Sequence, residues 1–368
     1  MAKDSNKSKK RASTASTSSA SLNGDPNTDK VTIYTSDTLN RGLLIERTEE
    51  ILGKKPFDWQ IDAAAAVLCG EDVVLDVGTG CGKSLCFSIP LVLNNTDVAL
   101  RITPLTALMI DQAESSKLQS IALCSETMAV HGAKTLYKHI CSKKCREVYV
   151  SPELAISPGF RKHVLSKKKF YQRLRLVAID EAHCISLWGG TFRPDYESLG
   201  LLRGRFPKHV PFMIASATLP DHVLDDIRGK LQLSKSVRMV RVSNARPNIA
   251  LSCRATKHAE ESKADLRFLI PPDAAKPEDI PISLVYCNQR VKCEDAVDRL
   301  RQWAQDAEIS DKCIAFYHAK VGSKQKRELE RQLAKGLIRI LVCTDAVGMV
   351  SSGLVQLLPA NGPQHPGM

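Results

Sequence analysis

The chain has 368 residues, 43% of them apolar and 25% charged, with a formal net charge of +12. That is a globular composition; at about 150 residues per domain it predicts two domains and excludes a wholly disordered chain, a collagen-like chain and a small disulfide scaffold. Most of the positive charge lies beyond residue 30, so the folded part is itself basic and suited to an anionic partner. No run of 18 apolar residues is present, so no membrane span is expected. The polar, basic start MAKDSNKSKKRASTAS lacks the apolar segment of a secretory signal.

Residues 1–30 are rich in Ser, Thr, Asn and Lys, too polar to offset ordering entropy, and read as a disordered arm. Its cluster Lys7, Lys9, Lys10 and Arg11 reads equally as a nuclear import signal, which would place the protein in the nucleus, and as a solvated tail. The 12 cysteines sit largely in apolar stretches, as at Cys69, Cys86, Cys287 and Cys343, the pattern of buried thiols in a reducing compartment. His139, Cys141 and Cys145 lack a second ligand pair at zinc spacing and read as structural.

From about residue 40, short apolar runs alternate with helix-length segments. The runs are DVVLDV (72–77), DVALRIT (97–103), REVYVSP (146–152), LRLVAID (174–180) and PFMIASAT (211–218). A second set follows: ISLVYCN (282–288), KCIAFYH (312–318) and IRILVCTD (338–345). Buried parallel strands separated by helices predict an α/β fold. Between the sets, residues 254–280 are polar and read as a surface loop. The predicted organisation is a first α/β domain over 31–240, a second over 241–349, and an unstructured tail over 350–368.

The first run leads into Gly78-Thr79-Gly80-Cys81-Gly82-Lys83-Ser84, followed by a predicted helix from Ser84 to Leu93. Strand, Gly-rich turn and helix start are the context of a phosphate-binding P-loop, although Val77 stands where the strict pattern has Gly. Backbone N–H groups and the helix start would hold phosphate oxygens. Lys83 would reach the β/γ-phosphates and Ser84 would ligate Mg²⁺. The run LRLVAID delivers Asp180 and Glu181 to a strand end 97 residues after Lys83. Asp180 is expected to hold Mg²⁺ through water, and Glu181 to orient and deprotonate the attacking water. Gln60, 23 residues before Lys83, is expected to pair with adenine N6 and N7.

The stretch DEAHCISLWGGTFRPDYESLGLLR (180–203) resembles the RecQ family of superfamily 2 DNA helicases, whose pattern is D-E-A-H-C-I-S-Q-W-G-H-D-F-R-P-x-Y. The likeness covers roughly residues 45–349. It implies two RecA-like domains, the second incomplete, driven by ATP and Mg²⁺. It also implies 3′-to-5′ translocation on single-stranded DNA, unwinding of branched DNA, and roles in recombination and repair. His183 joins the catalytic set through the Asp-Glu-Ala-His core. The resemblance further implies an aromatic-rich loop in which Trp188 and Phe192 stack on bases and Arg193 links DNA to the nucleotide site.

Other segments align in order. TPLTALMIDQ (103–112), with Thr103 and Pro104, and SPE (151–153), with Ser151, resemble the motifs that touch the DNA backbone. Ser216 and Thr218 of SAT (216–218) match residues that connect hydrolysis to domain movement. Asn288 in YCNQR and Thr344 in CTDAVGM match DNA-contacting motifs of the second domain, and FYHAKVGSKQKRELERQLAKG (316–336) resembles its Y-H-A-G-L segment.

There are departures. The family's Phe-Arg-Pro-x-Gln entry reads Pro56-Phe57-Asp58-Trp59-Gln60, without its arginine; Leu187 replaces a Gln, and Gly190-Thr191 replaces His-Asp. After Met349 the family's later motifs, including the one supplying arginine fingers, do not follow. Such fingers are worth about 10³–10⁵ in other NTPases, so weak unwinding is expected. Val350-Ser351 is encodable as a splice-donor consensus, so 350–368 reads as translated intron, the alternative being a short isoform. Two other functional classes stay open: an ATP- and DNA-binding module without turnover, and a superfamily 2 RNA helicase. A P-loop kinase would need neither Ser216-Ala217-Thr218 nor a second α/β domain.

Overall fold

Parallel strands dictate the architecture. In the computed structural model the described residues are 30–104, 106–187, 198–207, 209–234, 237–245 and 247–344. The amino-terminal arm up to residue 29, the loop bearing Trp188, Phe192 and Arg193, and the tail from 345 lie outside them.

The first sheet has seven strands: β1 (Val73–Asp76), β2 (Val98–Ile102), β3 (Ser120–Leu123), β4 (Glu147–Val150), β5 (Leu174–Ile179), β6 (Phe212–Ser216) and β7 (Arg238–Arg241). They run parallel in the order β3-β4-β2-β5-β6-β1-β7. Side chains alternate between two apolar layers, as the two-residue period of a strand requires. Val74, Leu100, Ile102, Val177 and Ile214 enter one layer. Val73, Leu75, Ala99, Leu176 and Met213 enter the other. A sheet buried on both faces explains the nearly continuous apolar runs. Each buried Val, Leu or Ile contributes about 1.5–3 kcal/mol.

A smaller second sheet contains β8 (Ser283–Tyr286), β9 (Ile314–Tyr317) and β10 (Ile340–Cys343), parallel in the order β8-β10-β9. The helix Arg290–Asp306 buries Cys293, Ala296, Val297 and Leu300 beside it. The architecture is a RecA-like α/β fold with a second, smaller sheet.

All eight runs expected as strands are strands; β3 and β7, the two sheet edges, are additional to them. β7 reads Arg-Met-Val-Arg with only Val240 buried, and β3 is half-covered at its start. The expected helix from Ser84 to Leu93 is an α-helix over Lys83–Ser88 that tightens into a 3₁₀ turn at Ile89–Leu91. Pro90, lacking an N–H, cannot extend the α-helical ladder. The expected surface loop over 254–280 is instead three 3₁₀ turns. Ile270 and Ile280 from this stretch are buried against the second sheet's helix. No described helix is long and apolar enough to cross a membrane.

Charged pairs pin the sheet from beneath. Arg175 at the start of β5 donates to Asp97 Oδ2 at 2.5 and 2.7 Å and to Thr32 O at 2.7 Å. Arg203 grips Asp72 through two bonds of 3.0 and 2.8 Å, and the Phe212 N–H also donates to Asp72.

Candidate functional site

Because all seven strands are parallel, their carboxyl ends share one edge, where α/β folds place ligands. β1 leads into the Gly78–Ser84 turn, β2 into Thr103-Pro104, β4 into Ser151, β5 into Asp180-Glu181 and β6 into Ser216–Thr218. Sequence-remote segments thereby meet along one line.

Gly82 caps the helix Lys83–Ser88 at φ +89°. A side chain there would meet the Gln60 amide, since a Cβ would lie 2.7 Å from Nε2. Lys83 Nζ donates to the carbonyls of Val77 (2.8 Å) and Gly78 (3.2 Å), so the ammonium is held within the turn. Ser84 is exposed at the helix start. Opposite, Asp180 is 9% exposed and accepts the Glu181 N–H at 3.0 Å. Burial raises its carboxyl above the ordinary range, with Arg101 and Lys83 pulling it back. Burial, with the Asp180 charge beside it, pushes the Glu181 carboxyl up to about 7. Glu181 also adopts φ +50°, a left-handed conformation that costs energy for a side chain of its size.

An ammonium, the N–H groups of a Gly-rich turn and a helix start suit a polyphosphate. The exposed Ser84 hydroxyl at the helix start and the buried Asp180 carboxyl at the end of β5 are oxygen donors of the kind Mg²⁺, a hard cation, prefers. The donor set therefore fits a Mg²⁺-bound polyphosphate.

His183 ties this pair to the next strand. Its Nδ1 lies 2.9 Å from Ser216 Oγ and 3.3 Å from Glu181 Oε2. The nearby carboxylate assigns the proton to Nδ1, which donates to Ser216. Burial keeps the imidazole below its ordinary pKa, hence neutral near pH 7. Ser216, fully buried, accepts the Thr218 N–H at 3.2 Å. A chain of contacts thus runs from Glu181 through His183 to the Ser216–Thr218 turn. Ser216→Ala is expected to leave ATP affinity near wild type while lowering DNA-stimulated turnover about tenfold, the worth of roughly one hydrogen bond. Steady-state KM and kcat with and without DNA measure this, and an equal loss in both parameters would contradict it.

Other expected site residues are placed differently. Gln60 is 1% exposed, with Oε1 accepting from the Phe57 N–H and Nε2 donating to Gly82 O, both at 2.9 Å. Instead of facing solvent to read adenine, its amide ties the helix Asp58–Leu68 to the Gly-rich turn. Thr103 and Pro104 are buried, and Thr103 Oγ1 has no hydrogen-bond partner, so neither presents a surface to DNA in this conformation. Ser151 caps the helix Pro152–Ile156 by accepting the Leu154 N–H at 3.4 Å. Asn288 is exposed at the end of β8, and Thr344 is half-buried after β10.

Sequence reasoning missed the support beneath the P-loop. Arg101, on β2, packs its guanidinium between Phe87 and Tyr149 at 4.8 and 4.5 Å and pairs with Glu147 at 3.0 Å. Glu147 also accepts from Ser88 (2.7 Å), Ser116 (2.6 Å) and Ser120 (3.1 Å). A signal was present, namely one arginine inside an otherwise apolar strand. Asn244 was missed too. It donates to Ala217 O at 2.7 Å, and its Oδ1 lies where a Cβ on Gly78 would fall within 2.9 Å.

Fold and site together define a P-loop α/β protein of the helicase class. Residues 57–227 match the DEAD/DEAH box helicase family. The chain is 30% identical to ATP-dependent DNA helicase Q-like 2 of Arabidopsis thaliana, over 77% of this chain and 39% of that protein. It is 32% identical to the probable ATP-dependent DNA helicase RecS of Bacillus subtilis (79% of this chain, 55% of that one). With ATP-dependent DNA helicase RecQ of Pasteurella multocida the identity is 31% (79% and 43%). The chain belongs to the RecQ family of DNA helicases and spans about half the length, or less, of these relatives. Among solved structures, the DUF1998 helicase MrfA bound to DNA and AMPPNP shares the fold (TM-score 0.56, 19% identity, 86% of this chain and 45% of that one). So does Saccharomyces cerevisiae Dbp5 bound to RNA and ADP BeF₃ (TM-score 0.57, 14% identity, 83% and 74%).

Proposed function

We propose that the chain binds Mg–ATP and couples its hydrolysis to movement along single-stranded DNA with 3′-to-5′ polarity. The observation that carries this reading is the Asp180-Glu181 pair set against Lys83, with the Glu181 carboxyl at about 7. A carboxyl at the end of β5, beside Asp180 and Lys83, is placed to accept a proton from water. Lys83, now held by the turn's own carbonyls, would exchange them for phosphate oxygens. Ser84 and Asp180 would hold Mg²⁺, which supplies charge neutralisation on the phosphates. Glu181 takes the water proton, and the His183–Ser216 contact passes the change in charge to the β6 turn.

DNA is favoured over RNA as the track because the three relatives named above are DNA helicases by name. The domains assigned to 31–240 and 241–349 would form the two walls of the track, with Asn288 and Thr344 on the second. The loop with Trp188, Phe192 and Arg193 is proposed to contact bases. Branched DNA, recombination and repair follow from the family alone. The cluster Lys7, Lys9, Lys10 and Arg11 supports a nuclear location, which a fluorescent fusion with those residues replaced would test.

The test of the whole reading is turnover in the presence of DNA or RNA strands of one sequence. DNA is expected to stimulate several-fold more than RNA. Equal stimulation, or preference for RNA, would move the chain to the RNA helicase class. Tailed duplexes with a 3′ or a 5′ overhang then fix the polarity.

A further inference from the structure

We propose that the first sheet's amino-terminal edge, opposite the ATP site, is a second nucleic-acid surface that binds the phosphate backbone of duplex DNA. Lys143 and Lys144 precede β4, and Lys167, Lys168 and Lys169 precede β5. Both groups therefore lie at the strand starts, whereas the P-loop and Asp180 lie at the strand ends. The six residues of β5 set these edges about 20 Å apart.

The structure builds this surface rather than leaving two loose loops. Arg173, 2% exposed, donates to Thr96 O and Ser142 O at 2.6 Å and to Cys145 O at 2.7 Å. It thereby fastens the Lys143-Lys144 turn to the start of β5. The Tyr137 and His163 rings stack at 5.3 Å, and Cys141 Sγ donates to His163 O at 3.6 Å. These contacts join the helix Ala133–Ile140 and the residue after it to the turn Arg161–Leu165, in which Arg161 and Lys162 are exposed.

The two segments that carry these lysines are of one charge sign. Between Glu126 and Glu147, and again between Glu153 and Asp180, the chain has no acidic residue. Asp97 and Glu147, at the starts of β2 and β4, are buried against Arg175 and Arg101 respectively. A cavity of about 410 Å³ opens beside the turn, lined by Gln119, Ser120, His139, Ser142 and Lys144. Ser142 Oγ is buried there without a hydrogen-bond partner.

The chemistry favours duplex over single strands. Single-stranded binding uses exposed aromatic rings on which bases stack. Here Tyr137 is already stacked on His163, and Phe160 and Phe170 are fully buried. Exposed ammonium groups beside rings that are stacked or buried suit phosphate contacts, which hold duplex DNA without reading its sequence.

The test compares the full chain with K143E/K144E/K168E/K169E, and with a milder set carrying Gln at the same four positions. Binding of a labelled duplex is followed by anisotropy across a salt series. The Glu set is expected to lose at least tenfold in duplex affinity at low salt. Its log K against log salt slope should become shallower by about 0.9 for each phosphate that is no longer neutralised. The Gln set should move the same way by less, and it covers the case in which charge reversal disturbs folding. ATP hydrolysis stimulated by single strands should be unchanged, which separates this surface from the motor site. Unchanged duplex affinity and slope in the Gln and Glu sets would overturn the proposal. So would displacement of duplex by polyglutamate of matched charge as effective as that by unlabelled duplex, which would mark the face as a site for acidic protein.

Discussion

Glu181→Gln is expected to lower ATP turnover about 10²–10⁴-fold, the usual worth of a positioned general base, while ATP affinity stays within a few-fold of wild type. The amide keeps the size of the side chain but cannot accept the water proton. Wild-type turnover should rise with pH through about 7 as the carboxyl ionises; the residual activity of the variant should show no such rise. A stability effect of opposite sign accompanies the loss. Burial and the Asp180 charge raise the folded-state pKa above the ordinary glutamate value of 4.5. Ionising Glu181 therefore opposes folding, and the penalty grows from the unfolded pKa up to about 7 and is full above it. The variant should melt higher than wild type at pH 8 and similarly at pH 4. Single-turnover phosphate release and thermal melts at the two pH values check both halves. A variant that hydrolyses ATP normally would remove Glu181 from the chemistry.

Glu147→Ala is expected to cost about 3–5 kcal/mol, the penalty of stranding a buried partner charge. The stranded group would be Arg101, whose side chain is 6% exposed between two rings. Burial alone would raise the Glu147 carboxyl, but Arg101 and the hydroxyls of Ser116, Ser88 and Ser120 hold it below the ordinary value. A depressed folded pKa contributes stability that is full above the unfolded value of about 4.5 and is lost as pH falls through the folded one. The wild type should therefore resist acid at pH 5 and lose this contribution only below the ordinary carboxylate range. Because Arg101 also lies within 3.5 Å of Ser84 O, the loss should weaken nucleotide binding as well. Urea unfolding at pH 7 measures the first effect, and nucleotide titration of the folded fraction measures the second. Glu147→Gln, which keeps acceptors for the serines, should fall between the two. Equal stability of all three chains would show the network to be dispensable.

Much of this can be read from residue order because a sheet buried on both faces writes itself as apolar runs. Val73–Asp76, Leu174–Ile179 and Phe212–Ser216 are strands where continuous Val, Leu, Ile and Ala place them. The edges are hidden for the complementary reason. Arg238–Arg241 is covered on one side only, and its two arginines mask its strand character. Isolated buried residues such as Ile270 and Ile280 are likewise invisible in a polar segment, because their burial is decided by the helix Arg290–Asp306, remote in sequence.

The site divides in the same way. Lys83, Asp180, Glu181, His183 and Ser216 are brought together because parallel strands deliver their carboxyl ends to one edge. That is a topological rule, and strand order is all it needs. The direction in which a side chain turns is a matter of local competition. Position alone points Gln60 at a base, yet it satisfies the Phe57 N–H and Gly82 O instead. Thr103, expected at a surface, is buried. Neither outcome is encoded in spacing.

Lys83, Asp180 and Glu181 are proposed to form a working ATP hydrolysis site answering to DNA. The most direct measurement is ATP hydrolysis by the purified 368-residue chain, with and without single-stranded DNA, beside Lys83→Ala. Hydrolysis that DNA stimulates and that Lys83→Ala reduces at least 10²-fold, roughly the scale of one electrostatic stabiliser, is the result the geometry predicts. Turnover indifferent to Lys83→Ala, or no hydrolysis under either condition despite bound ATP, would contradict it.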